Sequence, residues 1–274
     1  MGITYKSAFR MWEFSLMEWE RGLSSMEIAL QRIEQCVDGR LDLSHLGLTE
    51  LPPLPPLTVL RCSENHLTSL PPLPDGLVEL HCYNNHLSSL PTLPSSLQLL
   101  SCSSNQMTFL PALPVSLTYL GCQFNQLTSL PPLPPFLDLI LCDCNRITSL
   151  PEVPLFLTYL SCSMNQLTSL PSLPHGLQRL YCSQNPLETL PELPSSLAGL
   201  ACELPHNGSI YISNEMTPDR VQQINRENQE WVEFLSMKRC MERCCVYYQE
   251  LMHNRWNPDR VIPLHRMGYN PSDI

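Results

Sequence analysis

A 20-residue unit recurs seven times without interruption across residues 57–196, and it leaves the chain few ways to fold. Leu77-Val78-Glu79-Leu80-His81-Cys82-Tyr83-Asn84-Asn85-His86-Leu87-Ser88-Ser89-Leu90-Pro91-Thr92-Leu93-Pro94-Ser95-Ser96 is one copy. The consensus is L-x-x-L-x-C-x-x-N-x-L-T-S-L-P-x-L-P-x-x. Incomplete copies flank the block at 41–56 and 197–202. Seven asparagines, Asn65 to Asn185 in steps of 20, never leave the register. A fixed short period of this kind means stacked coils, each burying its apolar positions against its neighbours alone.

Within a coil, x-L-x-C-x predicts a short parallel strand. Alternation turns Leu and Cys inward and sends the x positions to the concave face. Strand centres are expected near Leu60, Leu80, Leu100, Leu120, Ile140, Leu160, Leu180 and Leu200. The Asn is expected to be a buried amide bonded to the backbone of adjacent coils, because a buried polar group must be paired. In L-P-x-L-P, two prolines per coil fix φ and favour extended, polyproline-like backbone, so no convex α-helix can form. The predicted fold class is an α/β repeat solenoid of leucine-rich-repeat type. Its parallel sheet lies on the concave face, its convex side is extended, and helical caps stand at both ends.

Residues 1–40 are read as the N-terminal cap, with helices at about 7–20 and 25–38. Ser24-Ser25-Met26-Glu27 is a capping box before the second helix. Met26, Ala29, Leu30, Ile33 and Val37 form its apolar stripe, and Gly39 stops it. The solenoid occupies 41–202. Residues 203–274 are read as a mainly helical C-terminal cap or tail: a strand near 209–213, then a helix or broken pair opened by Thr217-Pro218. The apolar face of that helix is expected to carry Val221, Ile224, Trp231, Leu235, Met241, Cys244 and Tyr248. Asn257-Pro258 opens a short last element.

Net charge is −10, divided as −3, −5 and −2 over 1–56, 57–196 and 197–274. No part is basic, which argues against a nucleic-acid backbone or an anionic membrane as partner. The repeat block holds only 11 of the 42 charged residues, so its surface suits protein contact better than ion binding. No apolar run reaches the roughly 20 residues of a membrane span. The first residues, with Glu13, Glu18 and Glu20, have no signal-peptide apolar region. Eight of the 13 cysteines, Cys62 to Cys202 at intervals of 20, occupy an inward position. They are expected to be buried, reduced thiols acting as small hydrophobes, which implies a cytoplasmic or otherwise reducing compartment.

No G-x-S-x-G, H-E-x-x-H or phosphate-cradling glycine loop is present, so the sequence predicts no enzyme, cofactor or metal. Cys240, Cys244, Cys245 and His253 have a spacing that fits no common zinc site. The concave columns are more informative. The third position of successive coils reads Val59, Glu79, Leu99, Tyr119, Leu139, Tyr159, Arg179, and the fifth includes Leu141 and Tyr181. The eighth adds Phe124, Cys144 and Met164. Leu99, Tyr119, Leu139 and Tyr159 are expected to form an exposed strip, and such strips mark interaction sites. The expected protein-binding set is Leu99, Tyr119, Phe124, Leu139, Leu141, Tyr159, Met164, Arg179 and Tyr181.

Trp12-Glu13, Glu18-Trp19-Glu20-Arg21, Ala29-Leu30-Gln31-Arg32-Ile33, Cys36 and Leu41-Asp42-Leu43 lead into Leu46-Gly47-Leu48-Thr49, Leu51-Pro52 and Leu54-Pro55. This order resembles the start of the bacterial type III effectors of the YopM/IpaH family. The resemblance covers about residues 12–202 and implies a two-helix cap followed by 20-residue L-P-x coils. Cysteine replaces the family's usual aliphatic residue in the coil. The tail is too short for the ubiquitin-ligase domain of the IpaH branch and lacks its cysteine motif, so ligase activity does not carry over. The repeat style and Trp256-Asn257-Pro258-Asp259-Arg260-Val261 are also similar to repeat proteins of large DNA viruses of amoebae. The expected function is therefore a non-catalytic protein-interaction scaffold binding a partner on the concave face. The alternative is a structural subunit of a larger assembly such as a viral capsid, as a homo-oligomer or in a virion. A degenerate ubiquitin-ligase-type effector stands third.

Overall fold

In the computed structural model, the described residues are 23–205, 208–212 and 216–256, with side chains described to 243 and at 246. The predicted helix at 7–20 and the last element from Asn257 lie outside them. The chain forms two compact units, 1–222 and 223–274.

In the first unit, α1 (Ser25–Glu34) precedes nine parallel strands. These are β1 (Arg40–Asp42), β2 (Val59–Arg61), β3 (Glu79–His81), β4 (Leu99–Ser101), β5 (Tyr119–Gly121), β6 (Leu139–Leu141), β7 (Tyr159–Ser161), β8 (Arg179–Tyr181) and β9 (Gly199–Leu204). They pair in sequence order, β2 to β8 are centred on the predicted residues, and the register advances by 20, as in Leu120↔Ile140 and Ile140↔Leu160. No described helix interrupts the returns between β1 and β9.

The reason is visible in each coil. Leu120, Cys122, Leu117 and Leu127 are fully buried and Leu130 nearly so, and the other coils repeat the pattern. Full burial of one leucine contributes about 2 kcal/mol, and a coil can bury its four only by stacking. The carbonyls and amides left over at the strand ends are taken by the asparagines. Asn125 Nδ2 donates to Cys102 O and Cys122 O, each at 3.1 Å, and its Oδ1 accepts from Met107 N at 3.0 Å. The same bonds recur from Asn85 to Asn185.

The cysteines also lie where alternation puts them. Cys62, Cys82, Cys102, Cys122, Cys142, Cys162, Cys182 and Cys202 are all wholly buried free thiols. Burial lifts the Cys102 thiol to about 12 and pushes Cys82, Cys122 and Cys142 well above the ordinary range.

A further element follows each end of the parallel stack. At the first, Ser24 caps α1 in the predicted box: its Oγ accepts from Glu27 N at 3.3 Å, and Ser24 N donates to Glu27 Oε2 at 2.7 Å. The helix ends at Glu34, four residues before the expected stop, with Gln35 as C-cap. Only Ala29 of its apolar stripe is buried, and Val37 is 95% exposed. At the other edge β10 (Gly208–Ile212) runs antiparallel to β9. Thr217 then caps a helix by accepting from Arg220 N at 3.3 Å. That helix, α2 (Pro218–Trp256), is continuous where a broken pair was one of the options.

Candidate functional site

Parallel pairing sets the third-position residues side by side: Leu99, Tyr119, Leu139, Tyr159 and Arg179 are successive register partners. The expected column therefore exists, but it is not the freely exposed strip that alternation alone predicts. Leu99, Tyr119, Leu139 and Tyr159 are half-buried because each leans on its neighbours. The Tyr119 ring lies along its own strand over Gly121: a Cβ built there would stand 3.2 Å from Tyr119 Cε1. Tyr159 meets Tyr181 edge-on at 5.5 Å between ring centroids, and Arg179 Cζ sits 6.0 Å from the Tyr159 ring centroid. Tyr181 is half-buried, and Arg179 is exposed. Tyr181 Oη reaches Gly199, where a built Cβ would lie 3.3 Å away. Leu141 stands half-buried between its register partners Gly121 and Ser161, both buried. Burial, chiefly, raises the phenol pKa of Tyr119 and Tyr159.

The eighth position makes the outer rim of this face. Sequence reading missed its backbone. His45, Glu64, Asn84, Ser104, Phe124, Cys144, Met164 and Gln184 all have φ between 53° and 59°. This left-handed conformation costs an ordinary side chain about 1 kcal/mol relative to glycine, with Asn the best tolerated of the others. The column holds no glycine, so composition gave no warning. Phe124 is 59% exposed and Met164 50%, with Cys144 half-buried between them and its Sγ 3.3 Å from Met164 Sδ. Neither the backbone nor the core asks for bulky apolar groups here.

A second row lies on the opposite edge of the coils and was not foreseen. Where the last residue of a coil is serine, it ties the coil back: Ser116 Oγ is within 2.7 Å of the carbonyls of Ser95 and Leu97. In two coils phenylalanine replaces that serine. Phe136 and Phe156 are 57% and 62% exposed and stack at 5.9 Å, with Val115 and Leu155 exposed beside them. Reading the last two columns of the repeat would have found this row.

Polar side chains gather toward the first coils. His45 Nδ1 is 3.0 Å from Glu64, and His66 stacks on His86 at 5.7 Å, lining a cavity of about 380 Å³. Among the described residues no three His, Cys, Asp or Glu side chains come together as a metal cluster, and no helix is long and apolar enough to cross a membrane.

This is a stack of short parallel strands with an inward Leu/Cys pattern and, in every full coil, an Asn side chain bonded to the backbone. The chain is a leucine-rich-repeat protein. It is similar to YopM of Yersinia pestis, a leucine-rich effector protein, with 37% identity over 69% of this chain and 63% of that one, at a TM-score of 0.58. A Shigella effector leucine-rich-repeat domain shares 29% identity over 73% of this chain and 84% of its own, with a TM-score of 0.47. InlJ of Listeria monocytogenes, whose functional domain includes a cysteine ladder, shares 26% identity over 61% and 48% of the two chains, with a TM-score of 0.34. The leucine-rich-repeat chain spans less than two thirds of the YopM chain it matches. No family profile and no curated protein matches it. The resemblance to viral repeat proteins receives no support from these comparisons.

Proposed function

We propose that the chain is a non-catalytic interaction scaffold that seats a segment of a partner protein on the concave face of the coils from 77 to 176. One observation carries this reading: Phe124 and Met164 are exposed apolar groups held in a left-handed conformation that disfavours them. Selection for stability would place Asn or Gly there. The half-buried Tyr119, Tyr159 and Tyr181 supply rigid aromatic surface beside this rim, with Arg179 at one end, a composition typical of anchoring residues. In this reading 1–40 cap the solenoid, 41–202 form it and 203–274 are a tail, with no cofactor and no nucleic acid. Eight unpaired-by-design thiols suit a reducing compartment, such as the cytoplasm of a host cell.

The test is a paired measurement on Tyr119→Ala with Tyr159→Ala. A partner complex should weaken by about 2 kcal/mol or more. Because the rings are half-buried, the fold itself should lose about 1 kcal/mol per ring. Unchanged affinity would move the functional face elsewhere. The alternative, a subunit of a larger assembly, is favoured by one feature: the Phe136–Phe156 row gives the coils a second apolar edge. Recovery of the chain only within a particle would select that alternative.

A further inference from the structure

The second compact unit contains most of α2, and its apolar residues change face part-way along. In the proximal half, burial follows Val221, Ile224 and Asn228, with Trp231 and Leu235 half-buried. That 3-4-3-4 spacing is one helix face. Continued, it reaches Lys238, Glu242 and Gln249, with only Cys245 apolar among them. A different face takes over one residue earlier. Phe234, Met237 and Met241 are 46%, 58% and 55% exposed, and the same spacing continues in the sequence through Cys244, Tyr248 and Leu251. Six apolar positions in a row at 3-4 spacing form the seam of a left-handed coiled coil. An isolated solvent-facing helix has no use for such a seam.

We propose that this seam pairs with the same seam of a second copy of the chain, parallel and in register. The flanking residues favour a second copy over an unrelated helix. With Phe234 and Met241 at the first core position of the heptad and Met237 at the second, Glu233 and Lys238 fall on opposite flanks. Parallel pairing sets each flank residue against the one five places on in the other chain. Glu233 then meets Lys238 of the second copy, and the reverse pair forms by symmetry. The next such pair is Cys240 with Cys245, and the next Tyr247 with Met252, so no like charges meet. The seam is complementary to itself, as an isologous interface requires.

The full chain under reducing conditions should sediment at twice its 31.2 kDa mass. Met237→Glu with Met241→Glu should weaken association at least ~tenfold and return the single-chain mass, since it places four carboxylates in the seam of a pair. Both residues are exposed in the single chain, so circular dichroism should keep its helical signal and the buried thiols should stay protected. Phe234→Leu with Met241→Leu should preserve or tighten the pair. Register is read from a chain carrying Cys36→Ser, Cys144→Ser, Cys240→Ser and Cys245→Ser, in which Cys244 remains on α2. Added diamide should then join two chains through Cys244, two thiols giving up two electrons and two protons to the oxidant. Single-chain mass for the unaltered protein overturns the proposal, whether the seam is bare or covered by the chain's own ends. So does a pair that survives the two glutamates, or one that does not cross-link through Cys244.

Discussion

Replacing Asn125 by alanine strands one buried group and removes an amide whose two N–H groups are shared among the carbonyls of Cys102, Cys122 and Gln123. The Asn125 side chain donates to Cys102 O and Cys122 O and accepts from Met107 N. Both carbonyls keep a second partner, because Asn105 also donates to Cys102 O and Asn145 to Cys122 O. The Met107 amide loses its acceptor inside the core, at about 2 kcal/mol, and each of the two lost N–H donors costs about 1 kcal/mol more. The expected loss is about 4 kcal/mol. Asn185 makes the same set of bonds but is only half-buried, so Asn185→Ala should cost less, about 2 kcal/mol. Thr108→Ala, at an exposed side chain, is the control and should stay within about 0.5 kcal/mol. Urea unfolding gives the global values, and hydrogen exchange at the Met107 amide gives the local one, which remains informative if the coils do not unfold as one unit. A cost below about 1 kcal/mol for Asn125→Ala, or a larger cost at Asn185, would refute the accounting.

Three further outcomes are expected. Phe124→Asn should raise stability by about 0.5–1 kcal/mol, by relieving the left-handed backbone, while weakening partner binding; loss of stability would show that the ring supports the fold. Thiol labelling of the native chain should spare the eight ladder cysteines and reach Cys240 before Cys36 and Cys144; fast labelling of the ladder would contradict burial. Stability should be insensitive to these thiols below pH 9 and fall as pH rises toward 12, because their folded pKa lies above the unfolded one. The unfolded state then releases protons first, at up to about 1.4 kcal/mol per pH unit for each thiol, and a denaturation curve flat from pH 8 to 11 would oppose this.

Much of the fold was legible because one repeated pattern encodes it at several levels at once. Leu120 and Cys122 alternate, Asn125 follows at a fixed offset, and Pro131 and Pro134 forbid a helix on the return. Each choice agrees with the others, so the strand centres could be placed to the residue. What escaped reading depends on neighbours rather than on period. Tyr119 is half-buried because Gly121 leaves room for its ring, a relation within one coil that column reading ignores. The left-handed turn is invisible because Glu64, Phe124 and Met164 are not turn residues. α1 stops at Glu34 although its stripe runs on to Val37, since no core lies under Val37 to hold another turn.

Site-specific photo-cross-linking shows whether a partner sits on the strand columns. A photoreactive side chain at Leu139, in the middle of the concave column, is compared with one at the exposed Ser172 on the return segment. A partner seated there gives a discrete cross-linked product from position 139 that is absent from 172 and lost with Tyr119→Ala and Tyr159→Ala. A product from 172 alone, or one from 139 that is indifferent to the two tyrosines, would contradict that placement.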